Sequence, residues 1–321
     1  MTIRESLGPV LKYWPQYEWS NVWAMIRNMR LPPDRCAEDC AGRLVVITGA
    51  TSGIGYHTAR RYAAGGARLL VVNRSEARSQ ALCEEIGRDF GVECRYLLAD
   101  LSRLDDVHDV ARLLLEIEDP IEVLIHNAGL FLSRRAVTVD GLEMNFVVHY
   151  LAPFVINYRL RERLKAQGRG RIILVSSEGY RFAVWGLRLD DLQWEKRRYT
   201  GLRAYGAAKT AQLLTMMLFA ESFEGTGVTI NAMHPGMVRT NTGVTNGRAY
   251  RWFKAHMIDR LSQSPEVSAE ALYYLGVCRA LDGVNGKFFH LTHEEELAPP
   301  ARDRDIAERL WQISLQLGGL S

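Results

Sequence analysis

The sequence predicts an α/β fold with a doubly wound, mostly parallel sheet of seven strands, helices on both faces and a helical arm at the N-terminus. From Leu44 onward, short apolar runs alternate with longer amphipathic runs, which is the pattern of βαβ units. The short runs are apolar throughout, as expected for strands covered on both faces. The composition of the 321 residues, 47% hydrophobic and 24% charged, is typical of a globular protein.

The strands are predicted to begin immediately after an arm of residues 1–43. The seven runs are residues 44–48, 69–72, 95–98, 123–126, 172–176, 228–233 and 287–291. Helical patterns of ten or more residues lie between most of them, and such alternation gives right-handed crossovers in one sheet. No repeat or low-complexity linker divides the rest of the chain. Residues 44–321 are therefore predicted to form a single domain.

The arm is rich in tryptophan, tyrosine and methionine. Its apolar residues recur at helical spacing, as in Trp19, Val22, Trp23 and Ile26. Two interpretations stay open: a helix packed on the main body, or an interfacial helix that touches a membrane or the mouth of an apolar pocket. No apolar run reaches the ~18 residues of a membrane span.

Charge and cysteine content exclude some partners. The net charge of +3 is small and evenly spread, so nucleic acid is not an expected partner. The five cysteines are scattered, and the N-terminus lacks the pattern of a signal peptide. We expect a reducing, cytoplasmic setting, with membrane association through the arm and a homodimer as open alternatives.

No metal site is predicted. Cys36 and Cys40 lack a second pair at zinc spacing, so free thiols are favoured over a metal. His290 and His293 precede three glutamates and could suggest a metal. An exposed acidic turn after a strand explains that run without any ligand geometry.

A glycine-rich turn follows the first predicted strand and opens a helix. Gly49 permits the tight turn, Gly53 lets backbone N–H groups approach a pyrophosphate, and Gly55 permits close packing of the helix. The same turn contains further candidate contacts to a dinucleotide, namely Thr51, Ser52 and Ile54. At this position in a βαβ unit the motif predicts a dinucleotide site.

The end of the second strand indicates which dinucleotide is bound. An acidic residue there would accept from a ribose 2′-hydroxyl and repel a 2′-phosphate. Here Asn73 is neutral, and Arg74 offers a charge-assisted fork to phosphate. The sequence therefore favours NADP(H) over NAD(H), although Arg74 could also be an ordinary solvated arginine.

A set of motifs in a fixed order resembles the short-chain dehydrogenase/reductase family. The motifs are Gly49-x-x-x-Gly53-x-Gly55, Asp100, Asn127-Ala128-Gly129, Ser177, Tyr205-x-x-x-Lys209 and Pro235-Gly236. The stretches at residues 140–144, 190–195, 225–229, 234–240 and 310–314 are most similar to the retinol dehydrogenase and related apolar-carbonyl reductase group. His126 stands where the family usually has Asn, a minor departure.

The resemblance implies further cofactor contacts at the carboxyl ends of the strands. Asp100 with Leu101 would contact the adenine end, and Asn127, Ala128 and Gly129 would line the cofactor. Pro235, Gly236, Val238 and Thr240 would lie against the nicotinamide.

The resemblance also implies the chemistry. Tyr205 would exchange a proton with the reacting oxygen, Ser177 would hydrogen-bond that oxygen, and Lys209 would hold the nicotinamide ribose. Tyr205 and Lys209 are four residues apart on one helix face, and a nearby ammonium lowers the pKa of a phenol toward the working range.

His149 replaces an Asn whose backbone carbonyl, in the family, holds a water that links the lysine to solvent. It could be a satisfied core histidine, or Asn145 one turn earlier could substitute for the missing Asn. We predict instead that His149 passes a proton between Lys209 and water, and that burial and like charge favour its neutral form.

The function predicted from the sequence is an NADP(H)-dependent oxidoreductase acting on a small apolar ketone, aldehyde or alcohol. Apolar residues after Thr240 and between Ser177 and Tyr205 suggest a lid over such a substrate, or else pack on each other or on a second subunit. The alternatives are a cofactor-binding redox-sensing or interaction protein with weakened catalysis, and a tetrapyrrole reductase of the same fold.

Overall fold

The computed structural model describes residues 11–29, 31–184, 186–236 and 263–320. Eight strands form a single sheet in the order β3-β2-β1-β4-β5-β6-β7-β8. The strands are β1 Leu44–Thr48, β2 Arg68–Asn73, β3 Cys94–Leu98, β4 Ile121–His126, β5 Gly170–Val175, β6 Val228–His234, β7 Phe288–His290 and β8 His293–Glu295. The order reverses between β1 and β4, as in a doubly wound sheet.

The strand count corrects the prediction of seven. β1 to β7 pair in parallel, whereas β8 pairs antiparallel with β7, with His290 opposite His293. β8 was missed because it has three charged or titratable residues and no apolar run. The expected exposed acidic turn is also wrong at Glu295, which lies in β8 and is only 6% exposed.

Eight helices of ten or more residues accompany the sheet in the described part of the chain. They are α1 Trp19–Asn28, α2 Gly53–Ala64, α3 Glu76–Phe90, α4 Leu104–Glu116, α5 Ala152–Gln167, α6 Gly201–Ser222, α7 Pro265–Val277 and α8 Arg304–Leu317. Two apolar cores cover the two faces: α4, α5, α6 and α8 enclose one, and α2, α3 and α7 the other. Alternate residues of β1 enter opposite cores.

A π-helical turn, Val147–Leu151, lies between a short helical turn at Met144–Phe146 and α5. A π turn widens the helix by one residue and leaves local backbone groups out of the regular ladder. His149 lies at the centre of this turn.

The arm contacts the main body at several points. Tyr13 is buried, its hydroxyl donates to Asp303 at 2.5 Å, and its ring lies against Gly186. The Asn28 side chain donates to the backbone oxygen of Glu294 at 3.2 Å. Trp14 and Trp23 are 66% and 68% exposed. In the described residues no helix has both the length and the apolar character needed to cross a membrane.

Candidate active site

The glycine-rich turn is packed so closely that side chains are excluded from it. Gly49 and Gly53 have φ of +70° and +56°, in the region that favours glycine. A Cβ on Gly49 would lie 2.8 Å from the Ala128 Cα, and one on Gly55 would collide with the Gly49 carbonyl. The turn leads directly into the N-terminus of α2, whose free N–H groups favour an anion.

Two asparagines hold the turn in place. Asn127 Nδ2 donates to the carbonyls of Thr48 and Gly49 at 3.1 and 2.9 Å. Asn73 is buried, and its Oδ1 accepts from the Ala50 N–H at 2.7 Å. Thr48 Oγ1 accepts from the N–H groups of Asn127 and Ala128. These bracing roles were missed from the sequence; a polar residue at the end of an otherwise apolar strand was the available signal.

The remaining predicted cofactor residues lie along the carboxyl edge of the sheet. Arg74 is exposed directly after β2. Asp100 accepts from the Ser102 N–H and hydroxyl, and Leu101 is buried. Thr51, Ser52 and Ile54 lie at the start of α2, and Gly129 contacts the His149 ring. Pro235 and Gly236 follow β6, with Gly236 at a φ of +69°. Val238 and Thr240 lie outside the described residues.

Lys209 is almost fully buried on α6. Its Nζ donates to the Val175 carbonyl at the end of β5, at 2.7 Å, and lies 5.9 Å from the centre of the Tyr205 ring. Burial lowers the pKa of the Lys209 ammonium to about 7. A lysine with this pKa changes charge near neutrality, where a proton relay operates.

Gly179 brings Ser177 and Tyr205 together. A Cβ at this position would lie 2.8 Å from Cε1 of Tyr205 and 3.2 Å from Oγ of Ser177. Ser177 Oγ also accepts from the Gly179 N–H at 3.0 Å, which fixes the hydroxyl at the start of a 3₁₀ turn. The structure therefore places Ser177, Tyr205 and Lys209 together at the carboxyl end of β5.

His149 lies against the Tyr205 ring. The ring centroids are 5.0 Å apart in an edge-to-face arrangement, and His149 Nε2 lies 2.6 Å from the Leu130 carbonyl. Burial first, and then the charge of Lys209, lowers the pKa of His149 to about 3. The expectation that both effects favour a neutral imidazole is confirmed. Nε2 also lies 3.2 Å from the Leu130 backbone nitrogen, and within the described part of the chain the buried Nδ1 has no hydrogen-bond partner.

The structure gives hydrogen-bond partners for two further polar side chains, Gln212 and Asn145. Gln212 Nε2 donates to the His149 backbone oxygen at 3.1 Å, a contact the sequence did not suggest. Asn145 Nδ2 instead donates to Glu143 and Tyr199, both at 2.8 Å. That Asn145 could substitute for the family's Asn stays a prediction.

The predicted lid residues fall into two groups. Tyr180 and Leu187 are buried in the core, as the packing alternative expects, and the Tyr180 hydroxyl accepts from the Ala298 N–H. Phe182 and Val184 are 52% and 40% exposed and are available to an apolar ligand. The apolar segment after Thr240 lies outside the described residues up to residue 262.

Comparison with known proteins places the chain in a family. Residues 43–186 match the family model described as short chain dehydrogenase. The chain belongs to this family of oxidoreductases. Within the family it is similar to retinol dehydrogenases: it is 32% identical to mouse retinol dehydrogenase 13 over 285 residues, covering 87% of this chain and 85% of that protein. It is 33% identical to human retinol dehydrogenase 14, covering 87% of both.

Solved structures give the same fold. An uncharacterized protein from Mycobacterium paratuberculosis superposes with a TM-score of 0.68 at 26% identity, covering 88% of this chain and 95% of that one. A short-chain dehydrogenase from Sphingobium yanoikuyae, in complex with NADPH, superposes with a TM-score of 0.56 at 26% identity. That match covers 71% of this chain and 82% of the Sphingobium chain.

Proposed function

We propose that the protein is an NADP(H)-dependent oxidoreductase that transfers a hydride between nicotinamide and an apolar carbonyl or alcohol, with retinoids as the first class to test. The observation that carries this proposal is the meeting of Ser177, Tyr205 and Lys209 beside Gly179. The retinol dehydrogenase relatives support a retinoid-like substrate.

The glycine turn fits a dinucleotide, because Gly49 and Gly55 leave no room for side chains where a pyrophosphate would approach. Arg74, exposed beyond β2, would hold the 2′-phosphate of NADP(H). The NADPH complex of the Sphingobium relative supports this assignment. When bound, the nicotinamide supplies or accepts the hydride.

Proton transfer is the task of Tyr205, Ser177 and Lys209. In reduction, the Tyr205 hydroxyl donates its proton to the carbonyl oxygen while Ser177 Oγ hydrogen-bonds the same oxygen. Lys209 favours the resulting phenolate when it is protonated, and its pKa of about 7 lets it take up a proton at neutral pH. In oxidation of an alcohol the same steps run in reverse.

An apolar substrate would enter beside Tyr205. Phe131 packs edge-on to the Tyr205 ring at 5.9 Å between centroids. The exposed side chains of Phe182 and Val184 follow Ser177 in the chain, so apolar surface lies close to the proposed proton donor. An aliphatic or polyene substrate would cover this surface.

The experiment is turnover of all-trans-retinal and a panel of apolar ketones and aldehydes with NADPH, comparing wild type with Tyr205→Phe. We expect wild-type turnover of at least one apolar carbonyl. In Tyr205→Phe, kcat should fall by about 10²–10⁴-fold, with NADPH affinity unchanged because only the hydroxyl is removed.

Phe131→Tyr is a matched control, because it alters an aromatic ring in contact with Tyr205 and leaves the proposed proton donor in place. A Tyr205→Phe enzyme with most of the wild-type kcat would show that the proton comes from elsewhere. Failure of wild type on every carbonyl, with intact NADPH binding, would favour a cofactor-binding protein without turnover.

A further inference from the structure

A second cluster of polar side chains lies at the carboxyl ends of the strands, apart from the Ser177–Tyr205–Lys209 group. His234 ends β6, His290 ends β7 and Glu295 ends β8, while Glu178 follows β5. His234 and His290 are each 3% exposed and Glu295 is 6% exposed. The proposed proton transfer uses neither of the two histidines nor Glu295.

The polar atoms of this cluster face one another without forming hydrogen bonds. His234 Nε2 lies 3.3 Å from Glu178 Oε1 and 3.6 Å from Glu295 Oε2, and His290 Nδ1 lies 3.7 Å from Glu295 Oε1. Among the described residues, all five of these atoms, and His290 Nε2, are buried without a hydrogen-bond partner. Native proteins rarely leave so many buried polar atoms unpaired in one place.

The separations are those of ligands around a common ion. Tetrahedral zinc, with bonds of 2.0–2.2 Å to nitrogen and oxygen, holds neighbouring ligand atoms roughly 3.4 Å apart. Direct hydrogen bonds between such groups would be shorter, at roughly 2.7–3.0 Å. The three separations of 3.3, 3.6 and 3.7 Å are therefore longer than ordinary hydrogen bonds and close to the spacing of ligands around a small cation.

The ligand-type atoms of this cluster converge. His234, His290 and Glu295 each bring one such atom within 4.8 Å of the others. Both carboxylate oxygens of Glu295 face the imidazoles. Arg181 Nε donates to Glu178 Oε2 at 2.5 Å, so the other oxygen of Glu178 is the one that faces His234.

We propose that His234, His290 and Glu295 bind one divalent ion of the zinc class, with Glu178 beside His234 at the edge of the site. Two imidazole nitrogens with carboxylate oxygens form a donor set that Zn²⁺ accepts readily. The ligands come from the ends of β6, β7 and β8, so the ion would tie these three strands together next to Gly236. The role of the ion is structural: it fixes the turn on which the nicotinamide would rest.

Binding would require two adjustments. The imidazole rings of His234 and His290 are stacked, with centroids 4.4 Å apart and planes 26° apart, so they would have to tilt for both lone pairs to reach one ion. Without the ion, His234 Nδ1 accepts from the Gly236 N–H at 3.4 Å, a long contact that is readily given up.

A second group with ligand-type atoms serves as a control. Cys36, Glu38 and Cys278 also bring one ligand atom each within 4.8 Å of the others. Cys36 Sγ already donates to Glu38 Oε2 at 2.7 Å, so this thiol has a partner as it stands. We assign the metal to the histidine cluster and not to the thiols.

The test uses the full chain, stripped with a chelator, dialysed and titrated with ZnCl₂ alone, with metal content measured by elemental mass spectrometry. We expect about one Zn²⁺ per chain, and affinity reduced by more than roughly 100-fold in Glu295→Gln and His290→Gln. The matched control is His293→Gln: His293 lies in β8 beside the cluster, but its Nε2 contacts the Pro32 carbonyl. That variant and Cys36→Ser/Cys278→Ser should bind zinc as wild type does.

Loading the wild-type chain with Co²⁺ shows which ligand atoms bind the ion, without any substitution. A site of nitrogen and oxygen ligands gives visible ligand-field bands and lacks the intense thiolate-to-cobalt charge transfer of a cysteine site. The proposal would be overturned if wild type bound no zinc or if Glu295→Gln bound zinc as tightly as wild type. It would also be overturned if wild type gave a thiolate spectrum that Cys36→Ser/Cys278→Ser lost. Because binding is measured without turnover, these results are independent of the proposed oxidoreductase activity.

Discussion

Arg74 decides cofactor choice if it binds a 2′-phosphate. Replacing Arg74 with Ala removes one charge-assisted hydrogen-bond donor, so NADPH affinity should fall by about 1.5–3 kcal/mol while NADH affinity stays nearly constant. Titration calorimetry with both dinucleotides measures the difference. Arg78→Ala, an exposed arginine four residues further along, is the control. Equal losses for NADPH and NADH would remove the assignment.

His149 can be tested as a participant in proton transfer. Asn in its place can still donate to the Leu130 carbonyl, whereas Leu cannot, so we expect His149→Asn to stay active and His149→Leu to lose kcat at unchanged NADPH affinity. The pH profile of kcat between pH 6 and 9 is the second readout. If His149 relays protons to Lys209, the kcat profile of His149→Leu should be displaced along the pH axis. If His149 only packs against the Tyr205 ring, kcat of this variant should fall by the same factor at every pH.

A wild-type kcat for His149→Leu across that pH range would exclude any contribution of the side chain. If wild type is inert and His149→Asn gains activity, the substitution of the family's Asn by His in this chain would explain a loss of turnover.

The residues that could be predicted are those with a fixed spacing on one element. Tyr205 and Lys209 share one face of α6, and Gly49 and Gly55 belong to one turn, so local geometry is enough to relate them. His234 and Glu295 could not be paired from the sequence, because their meeting depends on the antiparallel return of β8 beside β7.

At the level of elements, the arm is the part whose surface most resembles a binding face. We expect the intact chain to float with vesicles containing anionic lipid, because Trp14, Trp23 and the exposed Leu11 offer apolar surface beside the basic Arg27. The substitutions Trp14→Ser and Trp23→Ser together should weaken this binding. Vesicle flotation, with unchanged unfolding temperature as the fold control, measures the effect.

Phe182→Ser is the control for flotation, since it removes an exposed aromatic side chain outside the arm. Flotation that is lost equally in this variant would place the lipid contact on the main body. If the wild-type chain stays at the bottom of the gradient, the prediction of lipid binding by the exposed tryptophans is wrong.

For the whole molecule, two buried histidines predict how stability depends on pH. Burial lowers the pKa of His126 to about 4 and, together with Lys209, that of His149 to about 3, below the ~6.5 of an unfolded chain. As the pH falls below ~6.5, the unfolded state takes up protons first, so the folded state loses stability.

As the pH falls from 6.5 to 5, each histidine should lower the free energy of unfolding by about 2 kcal/mol. Urea unfolding at the two pH values, for wild type, His149→Asn and His126→Asn, measures this loss. Each substitution should remove roughly half of it. Lys209 contributes its own loss only between ~10.5 and 7, outside this window. An unchanged pH dependence in both variants would show that other groups control acid sensitivity.

The short antiparallel strand β8 has a consequence for self-association. A sheet that ends in an open strand offers its backbone to another chain, and charged residues at the edge discourage such pairing. Here β8 carries His293 and Glu294, Lys287 forms an ion pair with Glu294 at 2.7 Å, and Asn28 occupies the Glu294 carbonyl from outside. The arm and β8 together close this side of the sheet to strand addition. A second copy of the chain would therefore not be expected to continue the sheet past β8.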